Sequence, residues 1–238
     1  MRAATPARPW PTAAAFLLPL LAAAYPTTAQ TPPAVVGPGR GWSVALGLPP
    51  LLASGYHFSA QKLLRPTSRH ALVATPQWYR GNTTRLTSRL SPGPDDRVHG
   101  YGLEVQHRLY LAPAADAKKP NGIYLAYGAQ YQRFRLRFQS YTWGEDLAAN
   151  GLYYYDFRLR DQQTAIQRYG LNAVVGQQLF LPGTPVFFDM YLGLGYWIAQ
   201  RSSTVTDPDY NWRYNKNSLD YGYSGSVLRL GLRVGAAW

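Results

Sequence analysis

The C-terminal segment alternates strictly between two kinds of residue. Every second position counted back from the end is apolar, and Gly235, Arg233, Gly231 and Arg229 lie between them; the apolar positions are Trp238, Ala236, Val234, Leu232, Leu230 and Leu228. Successive side chains of a β-strand point to opposite faces of the sheet. The segment therefore predicts a strand with one apolar face and one face of Arg and Gly.

The same alternation recurs through the chain and predicts eight strands in all. Four further segments show it clearly, at residues 101–111, 123–131, 169–181 and 188–198. Three earlier strands are predicted near residues 42–48, 56–61 and 70–80, and Pro76 is expected to interrupt the ladder of the third. The clear segments have about the nine to eleven residues that a tilted transmembrane strand needs.

The predicted connections alternate between short and long. Residues 65–69, 112–121 and 182–185 are short, whereas residues 82–97, 139–165 and 199–226 are long and polar. Aromatic residues are predicted to form two girdles at the strand ends: Tyr110, Phe180, Phe187, Phe188 and Trp238 near the short turns, and Trp78, Tyr101, Tyr131, Tyr196 and Trp197 near the long loops.

The N-terminal segment has the parts of a secretory signal. Arg2 and Arg8 precede an apolar core at residues 13–24, and Thr27-Thr28-Ala29 follows it. We expect a signal peptide at residues 1–29 with cleavage before Gln30, a flexible lead-in at residues 30–41 and one barrel domain at residues 42–238. An ordinary buried helix fits less well because four prolines would interrupt it, at positions 9, 11, 19 and 26.

The final strand resembles the C-terminal targeting strand of outer-membrane barrels, which ends in an aromatic residue preceded by alternate apolar positions. In pattern the chain is similar to the small eight-stranded barrels of the OmpA-transmembrane-like class. The resemblance implies an all-β, antiparallel up-and-down transmembrane barrel with long extracellular loops, placed in the outer membrane of a Gram-negative bacterium. The alternative is a soluble lipocalin-like binding barrel, in which the apolar face would point inward.

The resemblance also implies partners. The barrel assembly machinery would read the last strand at Trp238, Ala236, Val234, Leu232 and Leu230, periplasmic chaperones would escort the chain, and outer-membrane lipid and lipopolysaccharide would surround it. Nucleic acid is not an expected partner, although the formal net charge is +12, because the basic residues are scattered among acidic ones.

An eight-stranded barrel is just wide enough for side chains to fill, so a porin is not expected. The predicted lumen contains six charged residues that should pair, since an isolated buried charge is very costly: Glu104, Arg108, Arg168, Asp189, Arg229 and Arg233. Asp189 and Arg233 are expected on neighbouring strands at similar height. This pattern favours a structural salt-bridge network over a proton or ion path.

His57 and Ser59 suggest an alternative function as a lipid-modifying hydrolase. His-x-Ser on a strand places both side chains on one face, and it resembles the arrangement in outer-membrane lipid A deacylases; a His could activate the Ser hydroxyl as a base. The predicted face is the lumen, however, and no acidic residue is identifiable that would orient the His. We therefore predict ordinary lumen residues and no catalytic site.

Aromatic residues in the long loops predict a surface-binding role. Residues 134–138 and 153–160 look like a hairpin that projects from the barrel, with turn chemistry at Trp143-Gly144 and Asn150-Gly151. Tyr and Trp are enriched where proteins bind partners. The candidate residues, for an unknown surface ligand, are Phe138, Tyr141, Trp143, Tyr153, Tyr155, Tyr210, Trp212 and Tyr214.

The alternative is that these aromatics only pack the loops together or contact the sugar-rich headgroups of the outer leaflet. The sequence has no cysteine, no His, Asp and Glu cluster with metal-ligand spacing and no Gly-rich phosphate loop. We predict neither a metal nor a cofactor.

Overall fold

Eight antiparallel strands follow one another around a closed ring. The computed structural model describes residues 41–64, 69–88, 93, 95–111, 121–203, 214 and 217–238. The strands are β1 (Trp42–Gly47), β2 (Gly55–Leu63), β3 (His70–Asn82), β4 (Arg97–Tyr110), β5 (Gly122–Leu147), β6 (Tyr153–Phe180), β7 (Val186–Ser203) and β8 (Gly225–Ala237). The predicted eight-stranded antiparallel up-and-down barrel is confirmed, whereas the predicted signal and almost all of the lead-in lie outside the described residues.

The last strand closes the ring by pairing with the first. Val44 lies opposite Ala236 in this ladder, and Leu46 lies opposite Val234. Two backbone hydrogen bonds between Trp42 and Trp238, of 3.3 and 3.0 Å, extend the contact to the C-terminal residue. The backbone groups of β1 and β8 are therefore satisfied by one another, and the ring has no open edge.

The barrel is apolar outside and polar in the middle of its interior. On β8, Leu228 and Leu230 are exposed on the outer face, with Leu230 at 64%, whereas Arg233 is buried inside. Inward positions of other strands at this level are Ser59, Gln61, Thr75 and Gln106, all buried. A soluble lipocalin-like barrel needs an apolar inner face, so the observed arrangement does not fit that alternative.

Strand β3 is a full member of the barrel despite its proline. It pairs continuously with β4, where Pro76 lies opposite Leu103. Its pairing with β2 is interrupted beside Pro76, between the His57–Gln77 and Ala60–Ala74 pairs. Because proline has no backbone N–H, it cannot donate to the ladder on that side.

The prediction of a long polar loop at residues 139–165 is wrong. Strands β5 and β6 pair without interruption from Gly122–Gln178 to Leu147–Tyr153, so only residues 148–152 form the turn. Asn150-Gly151 lies in that turn as predicted, with Gly151 at a φ of 81°. Trp143-Gly144 does not form a turn: Trp143 lies opposite Phe157 within the ladder.

Some of the aromatic residues assigned to the two predicted girdles do not point outward. Trp78, Tyr101 and Tyr196 are exposed on the outer face, as are Phe188 and Trp238 at the other end. Tyr110, Phe187 and Trp197 are instead buried inside the barrel. The reason is strand parity, because each of them lies at even spacing from an inward position on its own strand, as Tyr110 does from Arg108.

Helix is nearly absent from the described part of the chain. A short 3-10 helix, Pro49–Ala53, connects β1 to β2. No helix among the described residues is long and apolar enough to cross a lipid bilayer.

Candidate functional site

Glu104 is the centre of one polar cluster inside the barrel. It projects inward from β4, and both of its carboxylate oxygens accept hydrogen bonds of 3.1 Å from Nη2 of Arg229 on β8. Asn172 and Gln106 each donate to its Oε1 at 2.8 Å. The carboxylate is thus paired with a cation and saturated with donors, which is the condition for burying a charge at low cost.

Asp189 is the centre of a second cluster, nearer the short turns. Its carboxylate accepts a hydrogen bond of 2.9 Å from Arg108 and lies 3.4 Å from Nη1 of Arg233. The Tyr124 hydroxyl donates to its other oxygen at 2.5 Å. Asp189 and Arg233 are direct neighbours in the β7–β8 register, so one carboxylate serves two guanidinium groups.

Arg168 departs from the expectation that every lumen charge has a charged partner. It donates to Oε1 of Gln132 at 2.7 Å and to the backbone carbonyl of Asp220 at 3.2 Å. Its guanidinium also lies 3.8 Å from the centre of the Trp197 ring. Among the described residues no carboxylate is in ion-pair contact with it, and carbonyl oxygens and an aromatic face stabilise the cation instead.

Apolar layers close the interior above and below these clusters. Toward the long loops, a cluster of buried aromatic and aliphatic residues fills the barrel mouth: Tyr79, Val98, Phe134, Leu136, Phe138, Ile166, Tyr214 and Tyr221. Toward the short turns, the filling residues are Leu63, Ala71, Tyr110, Tyr124, Ala126 and Val174. The interior, over the described residues, is therefore a packed core with a polar middle.

His57 and Ser59 both point toward the interior and do not form a catalytic pair. Nε2 of His57 lies 2.7 Å from the hydroxyl of Tyr79, and the hydroxyl of Ser59 lies 2.9 Å from that of Thr75. Neither side chain is hydrogen-bonded to the other or to a carboxylate among the described residues. Chemistry on a lipid would need both groups at the outer surface, so the geometry gives no support to a deacylase here.

Beyond the barrel, β5 and β6 continue as a two-stranded ribbon. We use "ribbon" for residues 138–163, which lie past the last pair with β4, Arg97–Arg137, and past the last pair with β7, Thr164–Ser203. Alternation gives the ribbon an aromatic face, whose members are all exposed: Tyr141, Trp143, Leu147, Tyr153, Tyr155, Phe157 and Leu159. The rings of Trp143 and Phe157 lie 5.4 Å apart, across the ladder.

The opposite face of the ribbon is held together by charge pairs. Asp146 accepts from Arg158 at 2.6 Å and from Arg160 at 2.5 Å, and Arg160 also pairs with Asp156 at 2.5 Å. Hydrogen bonding from Arg160 holds the pKa of the Asp146 carboxyl below its usual range. Gly144 makes room for this cluster, since a Cβ there would collide with the Arg160 guanidinium.

The prediction of surface binding is wrong for two residues, because both are buried. Phe138 is only 3% exposed and Tyr214 only 4%, and their rings pack against each other inside the barrel mouth at 5.7 Å. Phe138 has the inward parity of β5, and Tyr214 fills the space above it. Tyr210 and Trp212 lie outside the described residues, whereas Tyr141, Trp143, Tyr153 and Tyr155 are exposed on the ribbon.

Sequence reasoning misses the neutral residues that complete the two lumen clusters. Gln106, Asn172 and Tyr124 each donate to a buried carboxylate. Their inward parity is the signal that could identify them, because Tyr124 and Asn172 alternate with outward apolar neighbours and Gln106 lies two residues from Glu104 on the same strand. The charge pairs of the ribbon escape prediction because the predicted hairpin sets residues 134–138 against 153–160, which is wrong: residues 140–147 are the partners of 153–160 in the structure.

These features define a class of protein: a small, closed, antiparallel β-barrel with a polar, packed interior and an apolar outer surface. No family model matches the chain, and no curated protein matches it. The chain is similar to CarO of Acinetobacter baumannii, with a TM-score of 0.37 and 10% identity over 83% of this chain and 96% of that one. It is also similar to a major outer membrane protein from Thermus thermophilus, with a TM-score of 0.45 and 13% identity over 83% and 98% of the two chains. Neither similarity places the chain in a family.

Proposed function

We propose that this protein is an integral outer-membrane barrel with a closed interior, and that it presents the ribbon outside the membrane to engage a surface partner. The single observation that carries the placement is the inside-out distribution of polarity around the ring. The ribbon, with its exposed aromatic face, carries the surface-interaction role.

The outer surface fits lipid better than water. Its exposed residues form a continuous apolar wall that includes Val44, Phe58, Leu103, Val105, Leu125, Leu171, Val175, Met190, Leu194, Leu228 and Leu230. Soluble monomers rarely expose apolar patches larger than a few hundred Å². Lipid cannot hydrogen-bond a backbone, and a closed ring is the form in which a sheet satisfies all its own backbone groups there.

The route to the membrane follows from the same proposal. A secreted chain of this kind needs an N-terminal signal, periplasmic chaperones to keep its apolar outer face from aggregating, and the assembly machinery to insert it. The outward residues of β8 and the C-terminal Trp238 are the segment we propose that machinery to read.

The ribbon could bind a partner well because its two strands are rigid and one of its faces exposes aromatic side chains. Continuous pairing and the Asp146, Asp156, Arg158 and Arg160 cluster fix its two strands, so little conformational entropy remains to be lost on binding. The Tyr and Trp side chains of the aromatic face combine a large apolar contact area with a polar group at the end of the ring, as residues that dominate binding energy in interfaces do.

Fractionation and gel mobility test the membrane placement. The expressed protein should be found in the outer-membrane fraction, require detergent for extraction, and migrate differently on a gel before and after boiling. A protein that stays monomeric and soluble in aqueous buffer without detergent would overturn the proposal.

Photo-crosslinking on intact cells tests the surface role of the ribbon. A photoreactive residue replacing Trp143, on the aromatic face, should give adducts of discrete mass with envelope or external components. The matched control replaces Thr142, one residue away on the opposite face. Equal yields at the two positions, or no adducts at either in a correctly assembled barrel, would remove the interaction role and leave a structural barrel.

A further inference from the structure

A cationic patch lies on the outer wall of the barrel, on one side only. We call it the outer arginine patch; it comprises Arg80 on β3, Arg97 and His99 on β4, and Arg133, Arg135 and Arg137 on β5, all of them exposed. The register brings them together. Arg97 lies opposite Arg137, and His99 lies between Arg80 and Arg135.

The patch is a concentration of like charge that the described residues do not neutralise. Like charges directly opposite each other on neighbouring strands are destabilising, and Arg97 and Arg137 are such a pair. Among the described residues none of these arginines is in ion-pair contact with a carboxylate. The acidic residue nearest in the β5–β6 register, Asp161, accepts a hydrogen bond of 3.0 Å from Gln139.

The patch begins where the outer wall stops being apolar. Up to Tyr131 the outward positions of β5 are apolar or aromatic, and Gln130 and Gln132 lie inward on either side of it. From Arg133 onward the pattern reverses, with Arg outward and Phe134 and Leu136 buried inward. Interfacial aromatic girdles mark the headgroup level of a membrane. Arg135 is four residues past Tyr131, about 13 Å along the strand at ~3.3 Å per residue.

On β6 and β7, the residues that lie opposite these arginines in the strand register carry no charge. The row of Arg133 continues through Gln167 to Gln200, and the row of Arg135 continues through Ala165 to Ser202. The concentration of arginine is thus a local feature of β3 to β5 and is not a general property of the rim.

A surface depression of about 340 Å³ lies within the patch. Its rim carries two cationic side chains, Arg133 and Arg135, together with His99 and the rings of Trp78 and Tyr101. Guanidinium groups bind phosphate through paired N–H donors, and aromatic rings beside them offer an apolar surface to a sugar ring or to the start of an acyl chain.

We propose that the outer arginine patch binds the phosphates of a lipopolysaccharide molecule in the outer leaflet. The proposal rests on the membrane placement proposed above. Phosphates in the depression and between Arg97 and Arg137 would relieve the repulsion of the arginines, while the acyl chains would lie along the apolar wall below, against Leu103 and Leu125.

Binding of lipid A to the purified, folded protein in detergent tests the site. The variant Arg133→Gln/Arg135→Gln should bind diphosphoryl lipid A about tenfold or more weakly than the wild type, since two charge-assisted contacts are lost. The control Lys62→Gln/Arg69→Gln removes two cations at the opposite rim and should bind as the wild type does. Dephosphorylated lipid A should bind the wild type at least as weakly as diphosphoryl lipid A binds the variant, because the variant keeps Arg97 and Arg137.

Each other outcome overturns the proposal. Equal affinity of the variant and the wild type, or of phosphorylated and dephosphorylated lipid A, would show that the patch does not recognise the phosphates. Full competition by inorganic phosphate at the same concentration as the lipid would assign the patch to free anions. Gel mobility before and after boiling, recorded on the same samples, separates the two proposals: a folded barrel that fails to bind removes the lipid site alone.

Discussion

Asp189 pairs with two arginines, more than any other carboxylate in the described lumen. It lies between Arg108 and Arg233 and also accepts the Tyr124 hydroxyl. Glu104, by comparison, pairs with one arginine and accepts hydrogen bonds from three amide side chains. Because three lumen arginines pair with these two carboxylates, loss of either carboxylate leaves at least one guanidinium buried without its charged partner.

Asp189→Asn should destabilise the barrel by about 3–5 kcal/mol, the usual cost of removing one partner of a buried ion pair. Urea unfolding of the detergent-solubilised protein measures it. Asp161→Asn on the exposed ribbon is the matched control and should leave the unfolding midpoint close to that of the wild type. An unchanged midpoint for Asp189→Asn would show that Arg108 and Arg233 do not depend on this carboxylate.

Asp146 gives the ribbon a dependence on pH. Its pKa is lowered on folding by Arg160, so its stabilising effect is complete above the ordinary aspartate value of about 4 and is lost as the pH falls through the lower folded value. The chain has no cysteine, so a nitroxide on Glu145→Cys reports on the ribbon alone. Its mobility should rise on acidification, and the rise should be absent in an Asp146→Asn background, where mobility is high at every pH. Identical profiles in the two backgrounds would contradict the assignment.

At the scale of residues, the sequence predicts which face a side chain occupies but not its partner. Parity places Glu104, Arg108, Arg168, Asp189, Arg229 and Arg233 on the polar face, and each is found buried or half-buried inside. The contacts of Arg108 with Asp189 and of Arg229 with Glu104 cross the lumen between strands that are not neighbours. They depend on the stagger of all eight strands, which no local pattern encodes.

Among the elements, β5 and β6 show how a change of environment misleads pattern reading. Their alternation keeps its period of two but reverses its polarity after Tyr131, where Arg replaces apolar residues on the outer face and Phe134 and Leu136 turn inward. The sequence therefore predicts a barrel strand at residues 123–131 and a projecting hairpin that begins at residues 134–138. In the structure the reversal marks where the outer wall changes its surroundings, and the strand itself continues to Leu147.

The ribbon should be dispensable for the barrel. Residues 140–160 pair only within the ribbon, so replacing them with Asn-Gly, which favours a tight hairpin turn, should leave the heat-dependent gel mobility and the unfolding midpoint unchanged. In contrast, Leu136→Ala within the mouth cluster should cost about 2–5 kcal/mol through the cavity it creates. A barrel that fails to assemble without the ribbon would show that the ribbon takes part in folding.

For the whole molecule, the decisive property is the direction in which the apolar face points. The C-terminal alternation predicts two faces but cannot by itself say which one is inside, since a soluble barrel would have the same period. The count of strands and the polar residues on the alternate face favour the inside-out arrangement. The structure fixes the direction, because Leu230 is exposed on the outer wall whereas Arg233 on the same strand is buried inside.

A charged residue on the outer wall tests this direction by its depth. In lipid vesicles, Leu230→Arg should lower the free energy of unfolding by about 2–4 kcal/mol, whereas Ser226→Arg, at the aromatic row, should lower it by about 0–1 kcal/mol. Unfolding by urea in vesicles of defined thickness gives both values. Equal effects at the two positions would contradict a bilayer around this wall.

The length of the ribbon sets the distance between the barrel mouth and a ligand bound at the tip of the ribbon. From Phe138 to Leu147 the strand extends about 30 Å at ~3.3 Å per residue, comparable with the ~30 Å thickness of a bilayer's hydrocarbon layer. A ligand held near Asn150-Gly151 would therefore be kept well clear of the barrel mouth.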